Sequence, residues 1–381
     1  MNVLALDLLA FSAVFFLAYA NGANDVSKAI ATLVGSGVTD YRRAILWGTF
    51  CTVFGAGLAV WFSSRMVAVF KTGVIIMDQG GPTLPFAVAI AAGACGWVLL
   101  ATRFSRPVST THALTGALVF GGAYAFGLDH LQWHVLTRQI LFPLLASPLL
   151  AFLGAIGLDR LMKPMIGARG DACLCIGLET AGCPVHAATA QNMITIEAPL
   201  VVPVPRVVRA TNTMCAWLPW RYFRVDARLL HWLSSGAVSV ARGLNDAPKI
   251  VMIGVLFAGA HPGGTDLVRL FWVTTIAMGL GSLFGGIRVT ETLAEKITPM
   301  EDRDGLTANL TTSALVTVAA HFGLPVSTTL VSSSAIVSIG VQRDAHAVSW
   351  NVVRDIALAW VVTLPAAGGF AMLAYAIARS L

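Results

Sequence analysis

A pattern of one amide, one carboxylate and one ammonium side chain occurs twice in this chain. The pattern G-x-N-D-x-x-K spans Gly22–Lys28 and recurs at Gly243–Lys249, 221 residues further on. Each Asp follows an apolar run beside a Gly that would let a helix break, and freed carbonyls with a carboxylate suit a small cation or a proton. Capping of the next helix segment is the simpler use of these residues, but it does not explain the recurrence. The predicted cation-binding residues are Asp25 and Asp246.

A second repeated motif, P-V-S-T-T, suits an anion. It spans Pro107–Thr111 and Pro325–Thr329, 218 residues apart. Proline at a first helical position would leave a helix N-terminus with free N–H groups and a positive dipole end, and two such ends could hold a tetrahedral oxyanion. The alternative is that the hydroxyls only satisfy neighbouring backbone inside a membrane. The predicted anion-binding hydroxyls are those of Ser109, Thr110, Thr111, Ser327, Thr328 and Thr329.

The composition is that of an integral membrane protein. Of 381 residues, 56% are hydrophobic and 12% charged, against about 25% charged in soluble domains. Six apolar segments are long enough, or nearly so, to cross about 30 Å of hydrocarbon as helices. They are Val3–Ala20, Ala44–Trp61, Leu84–Ala101, Ile140–Leu158, Leu267–Phe284 and Ile356–Ala378.

The distribution of basic residues predicts how the chain is oriented. Residues 1–24 contain no Lys or Arg, whereas residues 159–228 contain eight. The positive-inside bias therefore places the centre of the chain in the cytoplasm and the N-terminus outside, in the cell (inner) membrane. The first apolar run resembles a signal peptide but lacks a basic start, so we expect no cleavage.

Two motifs that return in the same order at nearly the same offset indicate a duplication. If the N-terminus lies outside and the centre inside, the first copy crosses an odd number of times, which gives inverted-topology repeats with the site at their interface. We predict a first transmembrane repeat at 1–159, a cytoplasmic linker at 160–228 and a second transmembrane repeat at 229–381. The linker contains Val202–Pro205, which resists helix, so we expect a little strand there.

The two motif pairs, together with Gly286–Val289, resemble the inorganic phosphate transporter (PiT) family over roughly residues 1–160 and 229–381. The resemblance implies an all-α membrane protein of about ten transmembrane helices, some broken, plus two re-entrant helical hairpins. It implies secondary active symport of phosphate with Na⁺ or H⁺, without catalysis, metal or other cofactor. It also implies that Asn24, Asp25, Asn245 and Asp246 form the ion and phosphate site, with both Asn contacting the coupling ion as well as phosphate, and that the predicted hydroxyls hold the anion.

Lys28 and Lys249 depart from the family, in which many members carry Asn at this position. A Lys three residues after an Asp on a helix can pair with it. It would then take the place of sodium or help to attract the anion, which favours proton over sodium coupling. The alternative is that both ammonium groups extend to the membrane surface and contact nothing. Arg106 and Arg242, beside the motifs, are expected to steer anions to the entrance.

Two other functions stay open at this point. A sulfate permease of the same fold is the nearer one, although sulfate has no proton to donate to the Asp carboxylates. An intramembrane transferase acting on a lipid-linked phosphate is more remote, because such enzymes gather several Asp around Mg²⁺. The expected partners are the oxyanion and membrane lipid, with no nucleic acid; homo-oligomer formation is left open.

The linker carries a group of metal-ligand residue types whose spacing fits no zinc site well. Because the cytoplasm disfavours disulfides, we expect free thiols there and no metal. The group comprises Cys173, Cys175, Cys183 and His186.

Overall fold

The computed structural model describes residues 3–62, 74–76, 82–166, 172–184, 199–211, 222–259 and 266–380, and these are mostly helical. The first half begins with α1 and α2, which are separated by a single residue, and ends with α6, which contains a π-helical turn at Leu136–Leu141. Its helices are α1 Val3–Asp25, α2 Ser27–Gly35, α3 Tyr41–Phe62, α4 Leu84–Arg103, α5 Thr110–Phe126 and α6 Trp133–Ile166.

The second half follows three strands that connect it to α6. Its helices are α7 Ala227–Gly259, α8 Leu267–Gly285, α9 Ile287–Glu295, α10 Asp302–His321, α11 Thr328–Asp344 and α12 Trp350–Ser380. The strands are β1 Ala172–Pro184, β2 Pro199–Thr211 and β3 Tyr222–Asp226.

Among the described residues, six segments are long and apolar enough to span a membrane, and they coincide with the six apolar segments predicted from sequence. Large apolar side chains such as Phe54, Leu145 and Val361 are exposed along them, as lipid-facing side chains would be. The chain is therefore a multi-pass membrane protein. The predicted count of about ten helices and two re-entrant hairpins stays a prediction. The six segments are Leu4–Gly35, Tyr41–Phe62, Leu84–Arg103, Trp133–Ile166, Leu267–Gly285 and Trp350–Ser380.

The two halves interlock. Helix α12 of the second half packs on α4 and α5 of the first, while α6 of the first half packs on α10 and α11 of the second. In the same reciprocal way, α1 packs on α8 and α7 packs on α3. Helices α4 and α10, and likewise α5 and α11, begin 218 residues apart and have equal lengths. Each N-D motif thus lies where helices of both halves meet.

The glycine of each N-D motif serves close helix packing and does not mark a wide break. A Cβ on Gly22 would lie 2.2 Å from the carbonyl oxygen of Met278 on α8, and one on Gly243 would lie 2.5 Å from the backbone nitrogen of Ala56 on α3. Between α1 and α2 only Val26 interrupts the helix, and it keeps helical dihedral angles. The expected break in the second copy is wrong, because α7 continues through Asp246 despite the proline at position 248. Small residues here let the backbones approach each other.

The described part of the linker contains more strand than the sequence suggested. Strands β2, β1 and β3 form an antiparallel sheet in that order, and Leu178 of β1 pairs with Pro205 of β2. Strand β2 lies at the sheet edge, where the missing N–H of proline is tolerated. The helix before this sheet extends to Ile166 and the helix after it begins at Ala227.

The expectation of free thiols in the linker is wrong for Cys173 and Cys175. Both are disulfide-bonded, but not to each other, because their two sulfur atoms lie 3.7 Å apart and a disulfide bond is only about 2.05 Å long. The expectation rested on the reducing compartment, which says nothing about which sulfur atoms the fold brings together. The side chain of Cys183, and His186, lie outside the described residues.

Candidate functional site

The structure gathers all twelve predicted site residues at the contact between the two halves. Helices α1, α2 and α7 supply the N-D-x-x-K residues, and the N-termini of α5 and α11 supply the hydroxyls. Each of the twelve is at most 3% exposed. Ionisable groups buried within membrane helices are costly and mark ion or substrate pathways, so this cluster is the candidate site.

The Lys28 ammonium lies in a cage of oxygen atoms. It contacts Asp25 Oδ1 in an ion pair, and it donates to Asn24 Oδ1 at 2.9 Å, to the Asn24 carbonyl at 3.4 Å and to the Val108 carbonyl at 3.2 Å. These partners come from the N-D segment and from the segment preceding α5. The predicted Lys–Asp pairing is confirmed here, and the alternative in which Lys28 reaches the surface is wrong.

The Lys249 ammonium lies in an equivalent cage. It donates to the Val326 carbonyl at 2.9 Å and to Thr111 Oγ1 at 2.8 Å, and it lies 3.5 Å from Asp246 Oδ1. Val326 occupies the same place in its P-V-S-T-T motif as Val108 does in the other. Each lysine therefore neutralises the Asp of its own half beside a Pro-Val carbonyl.

Asn21 joins the two carboxylates and was missed by sequence reasoning. Its Nδ2 lies 3.2 Å from Asp25 Oδ2, 3.2 Å from Asp246 Oδ2 and 3.0 Å from Thr110 Oγ1. A single amide thus holds the acidic groups of both halves and the start of α5. The available signal was its position one helical turn before Asp25, on the same helical face.

Threonine hydroxyls connect the halves in a reciprocal way. Thr111 of α5 donates to the Val326 carbonyl at 3.3 Å, and Thr329 of α11 donates to the Val108 carbonyl at 2.8 Å. Ser332 of α11 also donates to the Lys28 carbonyl at 2.9 Å. The last threonine of each S-T-T motif therefore fastens the two halves to each other in this conformation.

The serines of the two motifs are helix caps, and the prolines lie further out than expected. Ser109 Oγ accepts from the His112 backbone N–H at 3.2 Å, and Ser327 Oγ accepts from the Leu330 N–H at 3.3 Å. The prediction that proline occupies the first helical position is wrong, because Ser is the N-cap and Pro107 precedes it by two residues. The serine hydroxyl satisfies one helix-end donor, and the N-terminal ends still point into the contact between the halves.

The two motif asparagines differ in how fully they are bonded. Asn24 donates to Thr102 Oγ1 at 2.9 Å and to the Arg106 carbonyl at 3.0 Å, while its Oδ1 accepts from the Val108 N–H and from Lys28. Asn245 donates to Asp246 Oδ1 and to a backbone carbonyl, but its Oδ1 has no partner among the described residues. Asn24 is saturated and Asn245 retains a free acceptor.

Arg242 lies in the interior, which corrects the expectation that it stands at the entrance. It is fully buried, and its Nη2 donates to Thr52 Oγ1 at 2.5 Å and to Ser282 Oγ at 3.3 Å. Arg106, by contrast, is 53% exposed and pairs with Asp355 at 2.8 Å. Arg242 precedes Asp246 by one helical turn, so its buried charge belongs to the central cluster and only Arg106 is placed to meet anions from outside.

The buried cluster carries more positive than negative charge. Asp25 and Asp246 oppose Lys28, Lys249 and Arg242, which leaves one positive charge in excess when all are ionised. No group of three or more His, Cys, Asp or Glu side chains that could hold a metal occurs within the part of the chain that the structure describes. The oxygen cages that a cation could occupy are filled by the two ammonium groups. The cluster is suited chemically to receive an anion.

The sequence resembles curated phosphate transporters over most of its length. A protein of Rhizobium meliloti named "Probable low-affinity inorganic phosphate transporter" is 29% identical, covering 94% of this chain and 92% of the relative. A Mycobacterium tuberculosis protein of the same name is 28% identical, covering 92% of this chain and 72% of the relative. These relatives are named as transporters and not as enzymes, so the protein is not an enzyme.

A solved structure has the same fold. The protein described as "The sodium-dependent phosphate transporter" superposes with a TM-score of 0.76 at 21% identity, covering 99% of this chain and all of the other. The sequence model of the phosphate transporter family matches residues 21–371. A match over that length shows that the chain belongs to the phosphate transporter family.

Proposed function

We propose that the protein is a secondary active transporter that imports inorganic phosphate by symport. The observation that carries this proposal is the buried cluster of two Asp, two Lys and one Arg, enclosed between two interlocked halves. The family and the names of the relatives favour phosphate over sulfate. A site with excess positive charge between two movable halves is what alternating access to an anion requires.

The halves act as inverted repeats that rock around the cluster. The reciprocal packing of α6 and α12, and the matched starts of α4 and α10, support a two-fold relation between them. In this arrangement the N-terminus lies outside, the three-stranded sheet lies in the cytoplasm, and the protein resides in the inner membrane. The many basic residues between 159 and 228 support that orientation.

Phosphate replaces the cross-connections between the halves. In the described conformation the hydroxyls of Thr111 and Thr329 donate to carbonyls of the opposite half. Phosphate oxygens accept hydrogen bonds from the same hydroxyls, and from the N–H groups at the starts of α5 and α11. Binding of the anion therefore exchanges contacts between the halves for contacts to substrate, which couples binding to opening.

The coupling ion is a proton rather than sodium. Hard cations prefer oxygen ligands, and the oxygen atoms around Lys28 already surround an ammonium at 2.9–3.4 Å, apart from the shorter Asp25 contact. A proton delivered to Asp25 or Asp246 removes the carboxylate charge from its ion pair. The lysine is then released to attract the anion. The lysine ammonium, which is part of the chain, thus takes the place of a freely diffusing sodium ion.

Uptake of labelled phosphate into proteoliposomes tests transport, and a lysine variant tests coupling. Wild type should accumulate phosphate under an inward proton gradient, and Lys28→Asn should make uptake respond to added sodium, because the oxygen cage is then open to a free cation. Lys296→Asn, which removes an exposed lysine at the end of α9, is the matched control. If phosphate accumulation never exceeds that of empty liposomes, the proposed transport is wrong. If wild-type uptake depends on sodium, only the proposed proton coupling is wrong.

A further inference from the structure

A polar cleft lies at the end of α6 that leads into the three-stranded sheet, away from the central cluster. Its volume is about 480 Å³, and it is enclosed by the last turns of α6, the first turn of α10 and the last turns of α11. This volume is within the range of small-molecule pockets. Apart from Ile339, the side chains that line the cleft are polar or charged. The cleft is therefore suited to a polar ligand.

The acidic side chains of the cleft are already paired. Asp159 of α6 lies 3.2 Å from Arg303 of α10. Arg343 of α11 donates to Glu301 at 2.5 Å and to Asp304 at 2.9 Å, both at the start of α10. These ion pairs build the wall of the cleft and connect α6 of the first half to α10 of the second.

Two basic side chains on α6 remain available to a ligand. Arg160 and Lys163 are both exposed, and they lie one helical turn apart on the same face. Within the described parts of the chain, neither of them makes an ion pair or a hydrogen bond. With Arg303 and Arg343 they give the cleft four basic groups against three acidic ones. The excess of one positive charge complements a ligand with one negative charge.

The cleft lies at the surface of the membrane, above a lipid-facing stripe of α6. This helix is one of the membrane-spanning segments. Leu153 precedes Arg160 by seven residues and Leu149 precedes Leu153 by four, a spacing that keeps all three on one helical face. Leu149 and Leu153 are 60% and 54% exposed. The rise from Leu149 to Arg160 is about 16 Å, about half of the ~30 Å hydrocarbon core. The stripe therefore spans the depth of one leaflet, and the cleft lies at the level of its headgroups.

We propose that this cleft binds the headgroup of an anionic phospholipid, with an acyl chain lying along Leu149 and Leu153. The phosphodiester carries one negative charge, and its oxygens accept from Arg160 and Lys163. A soluble phosphate ester carries the same phosphate group, but it has no use for the apolar stripe that leads to the cleft. Basic pockets between membrane helices are typical sites for anionic headgroups.

A lipid bound here contacts both halves of the molecule. It touches α6 of the first half together with α10 and α11 of the second, so it holds the halves together at the end nearest the sheet. The proposal goes beyond phosphate transport and does not depend on it, because none of the residues of the cleft belongs to the central cluster.

The two basic side chains set the size of the effect. A Lys or Arg near an anionic membrane surface contributes about fivefold to binding, so the loss of both should weaken binding about 30-fold. Phosphatidylcholine should bind weakly, because its own ammonium group cancels the charge of its phosphate. Exchanging the two residues, as Arg160→Lys with Lys163→Arg, keeps both charges and should retain the binding of phosphatidylglycerol.

Native mass spectrometry of the full-length protein in uncharged detergent tests the proposal without requiring transport. Phosphatidylglycerol or phosphatidylcholine is titrated, and the lipid molecules retained per chain are counted. Wild type is compared with the double variant Arg160→Gln, Lys163→Gln and with the control Arg42→Gln, Arg43→Gln, which removes two exposed charges at the start of the membrane-spanning α3. Tight retention of one phosphatidylglycerol by wild type and the control, weakened about 30-fold in the double variant, supports the proposal.

Three results would overturn it. The first is equal retention of the two lipids by wild type, and the second is unchanged retention of phosphatidylglycerol by the double variant. The exchange variant guards against a loss caused by misfolding: if it loses phosphatidylglycerol as fully as the double variant does, charge is not what binds the lipid. Glycerol 3-phosphate, added as a soluble competitor, gives the third. Release of phosphatidylglycerol from wild type at similar concentrations would assign the cleft to a soluble phosphate ester, whereas continued retention supports a lipid.

Discussion

The buried pair of Asp25 and Lys28 should contribute more to the free energy of unfolding than a matched pair on the surface does. The perturbation is a double-mutant cycle of Asp25→Asn, Lys28→Met and the double variant. Lys28 is fully buried, and its ammonium contacts Asp25 together with oxygens of Asn24 and Val108. Replacing it with Met removes every one of these donors while keeping a chain of similar length.

The structure sets the size of the effect. Breaking a buried ion pair by removing one partner costs about 3–5 kcal/mol, because the other charge is left uncompensated. Asn21 still donates to Asp25 at 3.2 Å in the Lys28→Met variant, so we expect the lower end, about 3 kcal/mol. In the double variant neither charge remains, and the coupling energy should be at least about 2 kcal/mol.

The assay is equilibrium unfolding in mixed micelles of lipid and detergent, followed by the loss of helical circular dichroism. Asp40 and Arg43 form the matched control, since they are also three residues apart but 57% and 77% exposed, with 3.5 Å between the charged atoms. Their coupling energy should be at most about 1 kcal/mol. Equal coupling energies for the two pairs would refute the view that the cluster is desolvated.

Three further outcomes follow from the packing and the hydrogen bonds. Gly55→Ala should lower the melting temperature markedly, because its Cβ would lie 2.2 Å from a backbone carbonyl oxygen of α7. Gly57→Ala, on the same helix, places its Cβ in open space and should change the melting temperature little. Equal shifts for the two variants would contradict the described packing. Ser327→Ala should lower the free energy of unfolding by about 1 kcal/mol through the lost N-cap, measured as in the cycle above, and no loss would contradict the capping role. Thr329→Val keeps shape but removes the donor to the Val108 carbonyl at 2.8 Å, so phosphate uptake should fall in rate, and wild-type uptake would contradict a role for this hydroxyl.

The membrane character and the location of the site could be predicted from the sequence because both rest on short, repeated patterns. Six apolar runs predicted six of the membrane-spanning segments, since length and hydropathy alone decide whether a helix can cross a bilayer. The repeated N-D and S-T-T motifs predicted that Asp25, Asp246 and the hydroxyls of the S-T-T motifs come together. The Lys–Asp pairing followed from the three-residue spacing on a helix.

What the sequence could not reveal depends on contacts between distant helices. The role of Gly22 was misjudged because its significance lies in the backbone of α8, which is far away in sequence. Arg242 was placed at the entrance because nothing local shows which way a helical side chain faces. Asn21 was missed because its two carboxylate partners come from different halves. The strand pairing in the linker is likewise a long-range contact, which local propensity predicts poorly.

We propose that the ammonium groups of Lys28 and Lys249 replace sodium, so that phosphate transport is coupled to protons. The most direct test measures the initial rate of phosphate uptake by wild-type proteoliposomes under an inward proton gradient without sodium, and under an inward sodium gradient at equal pH. We expect uptake above the no-gradient rate in the first condition and no stimulation in the second. Stimulation by the sodium gradient, with none by the proton gradient, would contradict it.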